Sequence, residues 1–305
     1  MSEGSGKAAL VTGGGSGINL EFVRILLEKG YSVIVGDLQY RPEVEHLLAQ
    51  FPHPPTGGKP SLIFQKTDVT SWIDLSALWT KAVESFSSVD IVVPGAGLFE
   101  PQWSNFWESP KTATNPNSQS RDVADDALGH YAIIDVNLTH PTRLSQLAIG
   151  HWSQKKLKGS IVFIGSIAGY TSGINTPLYF ATKHGLHGFV RSLGALRDSV
   201  GIRTGCVAPG AVRTPMLMED PTKSGLRGQV DEMAEPREIA EVMYQLAVKE
   251  EFGNGTILEC TKGGVTRVIP EFFMEPPAGS GASLAGYVEA GKKLLSDLRD
   301  NGLQV

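Results

Sequence analysis

Residues 8–19 read Ala8-Ala9-Leu10-Val11-Thr12-Gly13-Gly14-Gly15-Ser16-Gly17-Ile18-Asn19. The apolar run Ala8–Val11 predicts a buried strand, and the glycines that follow break it. From Ile18 to Lys29 apolar residues recur at helical spacing (Phe22, Val23, Leu26, Leu27), and Gly30 stands where a C-cap belongs. Strand, glycine turn and helix together open a βαβ unit. Glycines allow the tight turn and a close backbone approach, and the helix N-terminus offers unpaired N–H groups to a pyrophosphate. Glycine-rich runs also occur in ordinary turns, so the flanking strand and helix are what give this one its meaning.

The alternation continues outward. Tyr31–Val35 predicts a second strand, Pro42–Phe51 a helix with proline at its start, and 52–60 a surface loop. Ser61–Gln65, Ser71–Phe86 and Ile91–Val93 then read as strand, helix and strand. A long helix is expected over Val123–Lys155, a strand over Ser160–Gly165 and a helix over Leu178–Asp198. Strand Ile202–Val207, helix Arg237–Val248 and strand Thr256–Glu259 complete the pattern. Strands apolar throughout and separated by helices predict a parallel sheet covered on both faces. Right-handed crossovers make it an α/β doubly wound sheet, a Rossmann fold in a single domain. Residues 1–270 form the expected catalytic unit. Within it, 101–126 is a polar loop insert carrying Trp103, Phe106 and Trp107, suited either to closing a pocket or to packing on itself. Residues 271–305 are a C-terminal extension, with Leu294, Leu295 and Leu298 on one face of a helix over Leu284–Arg299.

Composition narrows the function. The 305 residues carry 27 basic and 32 acidic side chains, a net charge of −5, with 41% hydrophobic and 19% charged residues. That balance argues against disorder, nucleic acid or an anionic membrane as partner. No apolar run approaches the roughly 20 residues that span a bilayer, and the N-terminus lacks a signal-peptide core, so a cytoplasmic protein is expected. Cys206 and Cys260 are too few for a disulfide scaffold and read as buried strand residues. His184 and His187 lie one helical turn apart without a carboxylate or thiol at ligand spacing, so no metal is expected. Ile164-Gly165-Ser166-Ile167-Ala168 lacks the second glycine of a hydrolase elbow.

Asp37 stands at the end of the second strand, twenty residues past Gly17. A carboxylate there accepts both hydroxyls of an adenosine ribose and repels a 2′-phosphate, which favours NAD over NADP. No Lys or Arg falls within Gly13–Gly17, and Arg41 reads as the surface start of the next helix. Asp68 ends the third strand on the same sheet edge, placed either to reach an adenine or to cap the next helix. Tyr179-Phe180-Ala181-Thr182-Lys183 puts a phenol and an ammonium on one helix face. A lysine cation beside a tyrosine stabilises the phenolate and moves a poor base towards useful acid–base chemistry. Ser166 ends a strand thirteen residues earlier, and Asn137 sits among apolar neighbours inside a predicted helix. Pro209, Gly210 and Thr214 follow another strand, where a nicotinamide amide could dock.

Together these residues resemble the short-chain dehydrogenase/reductase family over roughly Lys7–Ile269. The resemblance implies that Tyr179 is the general acid/base and that Lys183 binds the nicotinamide ribose and lowers the tyrosine pKa. It implies that Ser166 hydrogen-bonds the substrate oxygen and that Asn137 holds a water of the proton relay. Gly13, Ser16, Gly17 and Ile18 match the pyrophosphate loop, Asp37 the NAD-selecting carboxylate and Asp68-Val69 the adenine contact. Val212 and Thr214 match the carboxamide contacts. Two positions depart from the pattern: Asn19 replaces the third glycine and touches cofactor, and Pro94-Gly95-Ala96-Gly97 replaces Asn-Asn-Ala-Gly, with Gly95 and Ala96 still lining the site.

Residues 179–189, Asn254-Gly255-Thr256-Ile257 and Thr261-Lys262-Gly263 are similar to the 15-hydroxyprostaglandin-dehydrogenase type, which oxidises secondary alcohols with NAD. Thr176 stands where that type carries a substrate-contacting glutamine, so its substrate is not implied. Met216, Leu217 and Met218 with the tryptophan-bearing insert suit a sizeable apolar substrate, and a methionine-rich loop equally serves plain packing. The expectation is an NAD-dependent oxidoreductase interconverting a secondary alcohol and a ketone, as a homodimer rather than the family's tetramer. Two other readings stay open: a nucleotide-binding sensor or scaffold, and a non-redox cyclase or isomerase on the same fold.

Overall fold

A computed structural model describes residues 3–55, 57–122, 129–227, 230–271 and 286–305. The first strand, β1 (Ala8–Thr12), is buried along its whole length, and Gly13 turns the chain through a left-handed φ of 72°. Helix α1 (Gly17–Glu28) follows, then β2 (Ser32–Asp37), α2 (Pro42–Gln50), β3 (Leu62–Lys66), α3 (Trp72–Ser85) and β4 (Ile91–Pro94). The second half holds α4 (Ala132–Ile134), α5 (His140–Lys155), β5 (Gly159–Ile164), α6 (Pro177–Ser192), α7 (Leu196–Val200) and β6 (Ile202–Pro209). It closes with α8 (Pro215–Met218), α9 (Pro236–Val248), β7 (Asn254–Thr261), β8 (Val265–Val268) and α10 (Tyr287–Asn301).

The strands form one eight-stranded sheet in the order β3-β2-β1-β4-β5-β6-β7-β8, parallel except for β8. Alternate side chains of each strand feed two cores. Ala9 and Val11 of β1 join the core under α1, α2 and α9, while Leu10 joins the core under α3, α5 and α6. The order of strands reverses between β1 and β4, and a crevice opens there at the carboxyl ends of the strands. The doubly wound sheet is therefore as the alternation of strands and helices predicts.

Several elements differ from expectation. The long predicted helix begins at Ala132 among the described residues; its expected start at 123–128 lies outside them, as does 272–285 of the extension. Between α4 and α5 the helix widens into one π-helical turn, Asp135–Thr139. The helix expected over Leu178–Asp198 ends at Ser192. Gly194 there passes so close to the carbonyl of Asn254 that an added Cβ would lie 2.3 Å away. Strand β8 is an antiparallel edge that the alternating pattern does not announce. In α10, Leu295 and Leu298 pack on the core, whereas Leu294 points outwards and is 67% exposed. Beyond it Leu303 donates its N–H to Ser153, and Val305 covers Gly150 of α5. No helix among the described residues is long and apolar enough to cross a membrane.

Candidate active site

A cleft of about 850 Å³ runs along the carboxyl ends of the strands. At one end, Gly13 and Gly17 hold left-handed φ angles of 72° and 57°, which non-glycine residues rarely adopt. A Cβ on Gly13 would lie 2.7 Å from the backbone of Ala96, so this close approach also requires glycine. Ser16, Gly17 and Ile18 line the cleft at the first turn of α1, where helix N–H groups have no partner within the helix. Asp37 closes β2, its two oxygens accepting from the N–H groups of Gly15 at 2.9 Å and Leu38 at 2.8 Å. Burial pushes its carboxyl above the usual range, and these backbone donors pull it back. Arg41 is not a free surface base: its guanidinium pairs with Glu219 of the opposite rim.

Asp68 and Val69 line the same end. Asp68 is no cap for α3, since Ser71 accepts from Asp74 N–H in that role. Its carboxylate takes the N–H and hydroxyl of Thr70 instead, at 2.9 and 2.7 Å. Asn19, in place of a glycine, is buried and donates to the carbonyl of Gly95 at 2.9 Å. Its Oδ1 is buried without a partner, an acceptor left for a bound group beside Gly95 and Ala96. Thr12 reinforces this region by accepting from Gly95 N–H at 3.0 Å, and its hydroxyl meets the Nε2 of His140 at 3.0 Å. His140 stays neutral because burial pushes its pKa down to about 4. The left-handed glycines, the ribose-sized carboxylate and the orphaned acceptor together fit a dinucleotide.

The other half of the cleft holds the polar side chains. Tyr179 lies in the first turn of α6 and Ser166 follows β5. Ser166 lowers the pKa of the phenol, while burial raises it by more. Lys183 is buried one turn along α6, its Nζ donating to the carbonyl of Ile164 at 2.8 Å and lying 5.5 Å from the Tyr179 ring centre. Burial depresses the ammonium to about 8. Pro209, Gly210, Val212 and Thr214 line the cleft where β6 ends. Thr214 faces Gly17 across it, about 3.5 Å from the position an added Cβ would take.

Asn137 sits apart from the cleft wall. The π turn directs its amide to Leu98, with Oδ1 accepting from Leu98 N–H at 2.7 Å and Nδ2 donating to Leu98 O at 2.9 Å. Nδ2 also approaches the Thr182 hydroxyl at 3.3 Å. The side chain thus joins the loop after β4 to α6.

Leu98, Phe99, Trp103, Ile167, Phe180 and Leu217 give the cleft an apolar end. Asp37, Asp68 and Lys183 are the charged side chains among the described lining residues, and of these Lys183 lies 5.5 Å from the Tyr179 ring centre. From the insert, Trp103 lines the cleft, whereas Trp107 is half-exposed and donates its indole N–H to Ile174 O at 2.8 Å. Met216 and Leu217 line the mouth and Met218 does not. Cys206 and Cys260 are buried and unpaired, as the strand pattern predicts. No cluster of metal-ligating side chains occurs among the described residues.

Sequence reading misses Glu100 and Lys223. Both are buried and reach the site across long spans of chain; a carboxylate ending an apolar stretch is the one local signal, and it points to nothing specific.

The family model for short chain dehydrogenase matches residues 7–225. A cis-4-hydroxycyclohexanecarboxylate dehydrogenase of Sinomonas cyclohexanicum is 30% identical over 268 residues, covering 86% of this chain and 97% of that protein. An L-fucose dehydrogenase of Bos taurus is 28% identical, covering 85% of this chain and 89% of its own. In fold the chain is similar to a solved levodione reductase, with a TM-score of 0.67, 22% identity and coverage of 85% and 97%. It is also similar to a 4-hydroxyisoleucine dehydrogenase complexed with NADH, with a TM-score of 0.66, 24% identity and coverage of 85% and 98%.

Proposed function

The chain belongs to the short chain dehydrogenase family and is an oxidoreductase of CH–OH groups; within that class we propose that it interconverts a secondary alcohol and a ketone with NAD on a sizeable, apolar, uncharged substrate. The observation that carries this is the buried Tyr179 phenol, which Ser166 draws towards ionisation, in the same cleft that presents Asp37. Residues 1–270 are the catalytic unit in this reading, 101–126 its insert and 271–305 its extension.

Asp37 and the first turn of α1 hold the adenosine and pyrophosphate. Val212, Thr214 and Lys183 hold the nicotinamide end, and Asn19 Oδ1 supplies a further acceptor. Asp37 disfavours a 2′-phosphate, and Arg41, already paired with Glu219, offers it little compensation. A bound nicotinamide would supply the acceptor for the carbinol hydrogen with its electron pair, or the donor that returns it to the ketone. Tyr179 takes the hydroxyl proton in oxidation and gives it back in reduction. Ser166 and Tyr179 hold the substrate oxygen between two hydroxyls, placed in advance where charge develops. Because burial raises the phenol pKa, the free protein is poised to donate, and oxidation is expected to speed up as pH rises. A homodimer in the cytoplasm completes the proposal, the tail over Gly150 of α5 being the reason to prefer it to a tetramer.

Tyr179→Phe is expected to reduce turnover by about a thousandfold or more while leaving NADH affinity nearly unchanged, as titration of NADH fluorescence would show. A variant that keeps its turnover would remove Tyr179 from the chemistry.

A further inference from the structure

Tyr179 is the third residue of α6, and the start of that helix is capped in an unusual way. Its N-cap, Thr176, makes no side-chain hydrogen bond, and Pro177 has no N–H to offer. The N–H of Tyr179 donates instead to Oε2 of Glu100 at 2.8 Å, across 79 residues. Oε1 of the same carboxylate accepts from Phe106 N–H at 3.1 Å, where the insert begins. Glu100 is fully buried and holds a left-handed φ of 33°, a conformation that a non-glycine residue keeps only when its surroundings hold it there.

Those surroundings are supplied by Lys223. Its Nζ donates to the carbonyl of Glu100 at 2.8 Å and lies 4.8 Å over the ring of Phe99. The Phe99 ring meets the Tyr179 ring edge-on at 4.7 Å. One buried ammonium therefore holds both residue 99, which touches the phenol ring, and residue 100, which holds the backbone beneath it. Lys223 belongs to residues 215–227, whose Met216 and Leu217 line the mouth of the cleft.

We propose that Glu100 and Lys223 are positioning residues that fasten the covering segment 215–227 to the first turn of α6 and so set the place of the Tyr179 phenol. The effect on turnover rests on the redox reading above; the fastening itself does not. A displacement of the order of an ångström at a reacting group can cost about a hundredfold in rate. Glu100→Gln keeps the shape but can accept with one atom where the carboxylate accepts with two. Lys223→Met keeps the aliphatic stem and loses the donor, and Lys223→Arg restores a donor.

The test is amide hydrogen exchange in the peptide containing Tyr179, together with kcat, KM, NADH affinity and thermal midpoint for wild type and the three variants. Glu100→Gln and Lys223→Met should speed exchange at Tyr179 and lower kcat by about tenfold or more. The thermal midpoint and NADH affinity should stay close to wild type, and Lys223→Arg should recover most of both losses. Exchange at Tyr179 that stays at the wild-type rate in Glu100→Gln and Lys223→Met overturns the fastening, whatever the rates do. Absence of turnover in the wild type would contradict the redox reading alone, and the exchange data would still decide the fastening.

Discussion

At Tyr179 burial and hydrogen bonding pull in opposite directions. Removing the phenol from water favours its neutral form, and the Ser166 hydroxyl favours the anion, with burial the stronger. Lys183 meets the same desolvation, falls to about 8 and donates to Ile164 O. Asp37 offers the clearest single-residue test. Its carboxylate, already aligned by Gly15 and Leu38, is the group expected to choose between cofactors. Asp37→Ser should raise the KM for NAD by about tenfold or more, the worth of a hydrogen bond to a charged acceptor. It should also narrow the preference for NAD over NADP, because the repulsion of a 2′-phosphate is gone. Steady-state rates with both cofactors measure this, and an unchanged ratio would mean that Asp37 does not read the ribose.

Two helices are braced by histidines that stay neutral well below the usual imidazole pKa. His140, in the first turn of α5, donates from Nδ1 to Val136 O in the π turn and meets Thr12 of β1 with its other nitrogen. His187 of α6 packs against Gly165 and Gly169 on either side of Ser166, where an added Cβ would lie about 2.3 and 2.2 Å from its ring. Burial holds His140 at about 4; for His187, burial and the neighbouring charges of Lys183 and Arg191 hold it at about 3. The unfolded chain takes up these protons near pH 6.5 and the folded chain only well below that. Stability from this source is therefore whole above pH 6.5 and drains as pH falls towards 4, by roughly 1.4 kcal/mol per pH unit for each histidine. Urea unfolding at pH 7 and pH 5 should show the loss, and His187→Leu should remove about half of it. An equal loss in wild type and variant would show that His187 is not the source.

Across the whole molecule, what the sequence makes legible is whatever depends on local pattern. The strand, glycine turn and helix of residues 8–29, the carboxylate at Asp37 and the Tyr179–Lys183 spacing are all written within one or two elements, and the structure brings them to one cleft. What is illegible depends on chain brought from far away. The π turn at Asn137 and the break at Gly194 answer to contacts with Leu98 and Asn254 that no helical periodicity encodes. Glu100 and Lys223 lie 123 residues apart and meet only when the sheet has formed. The outward turn of Leu294 is settled by how α10 docks on its neighbours, which spacing alone leaves open. At this scale the cleft is polar at the Asp37 end and apolar at the Trp103 end, where Arg121 over the Trp103 ring and Lys223 over the Phe99 ring are not among the lining residues. The measurement that bears most directly on this assignment is the initial rate of NADH formation from NAD. It should be taken across neutral secondary alcohols of increasing size and their carboxylate-bearing counterparts. Neutral alcohols should be oxidised, with kcat/KM about tenfold or more above the carboxylates, since a charge in an unpaired apolar site is costly. Tight NADH binding with no NADH formed from any alcohol would contradict the assignment and leave a protein that binds the dinucleotide without using it.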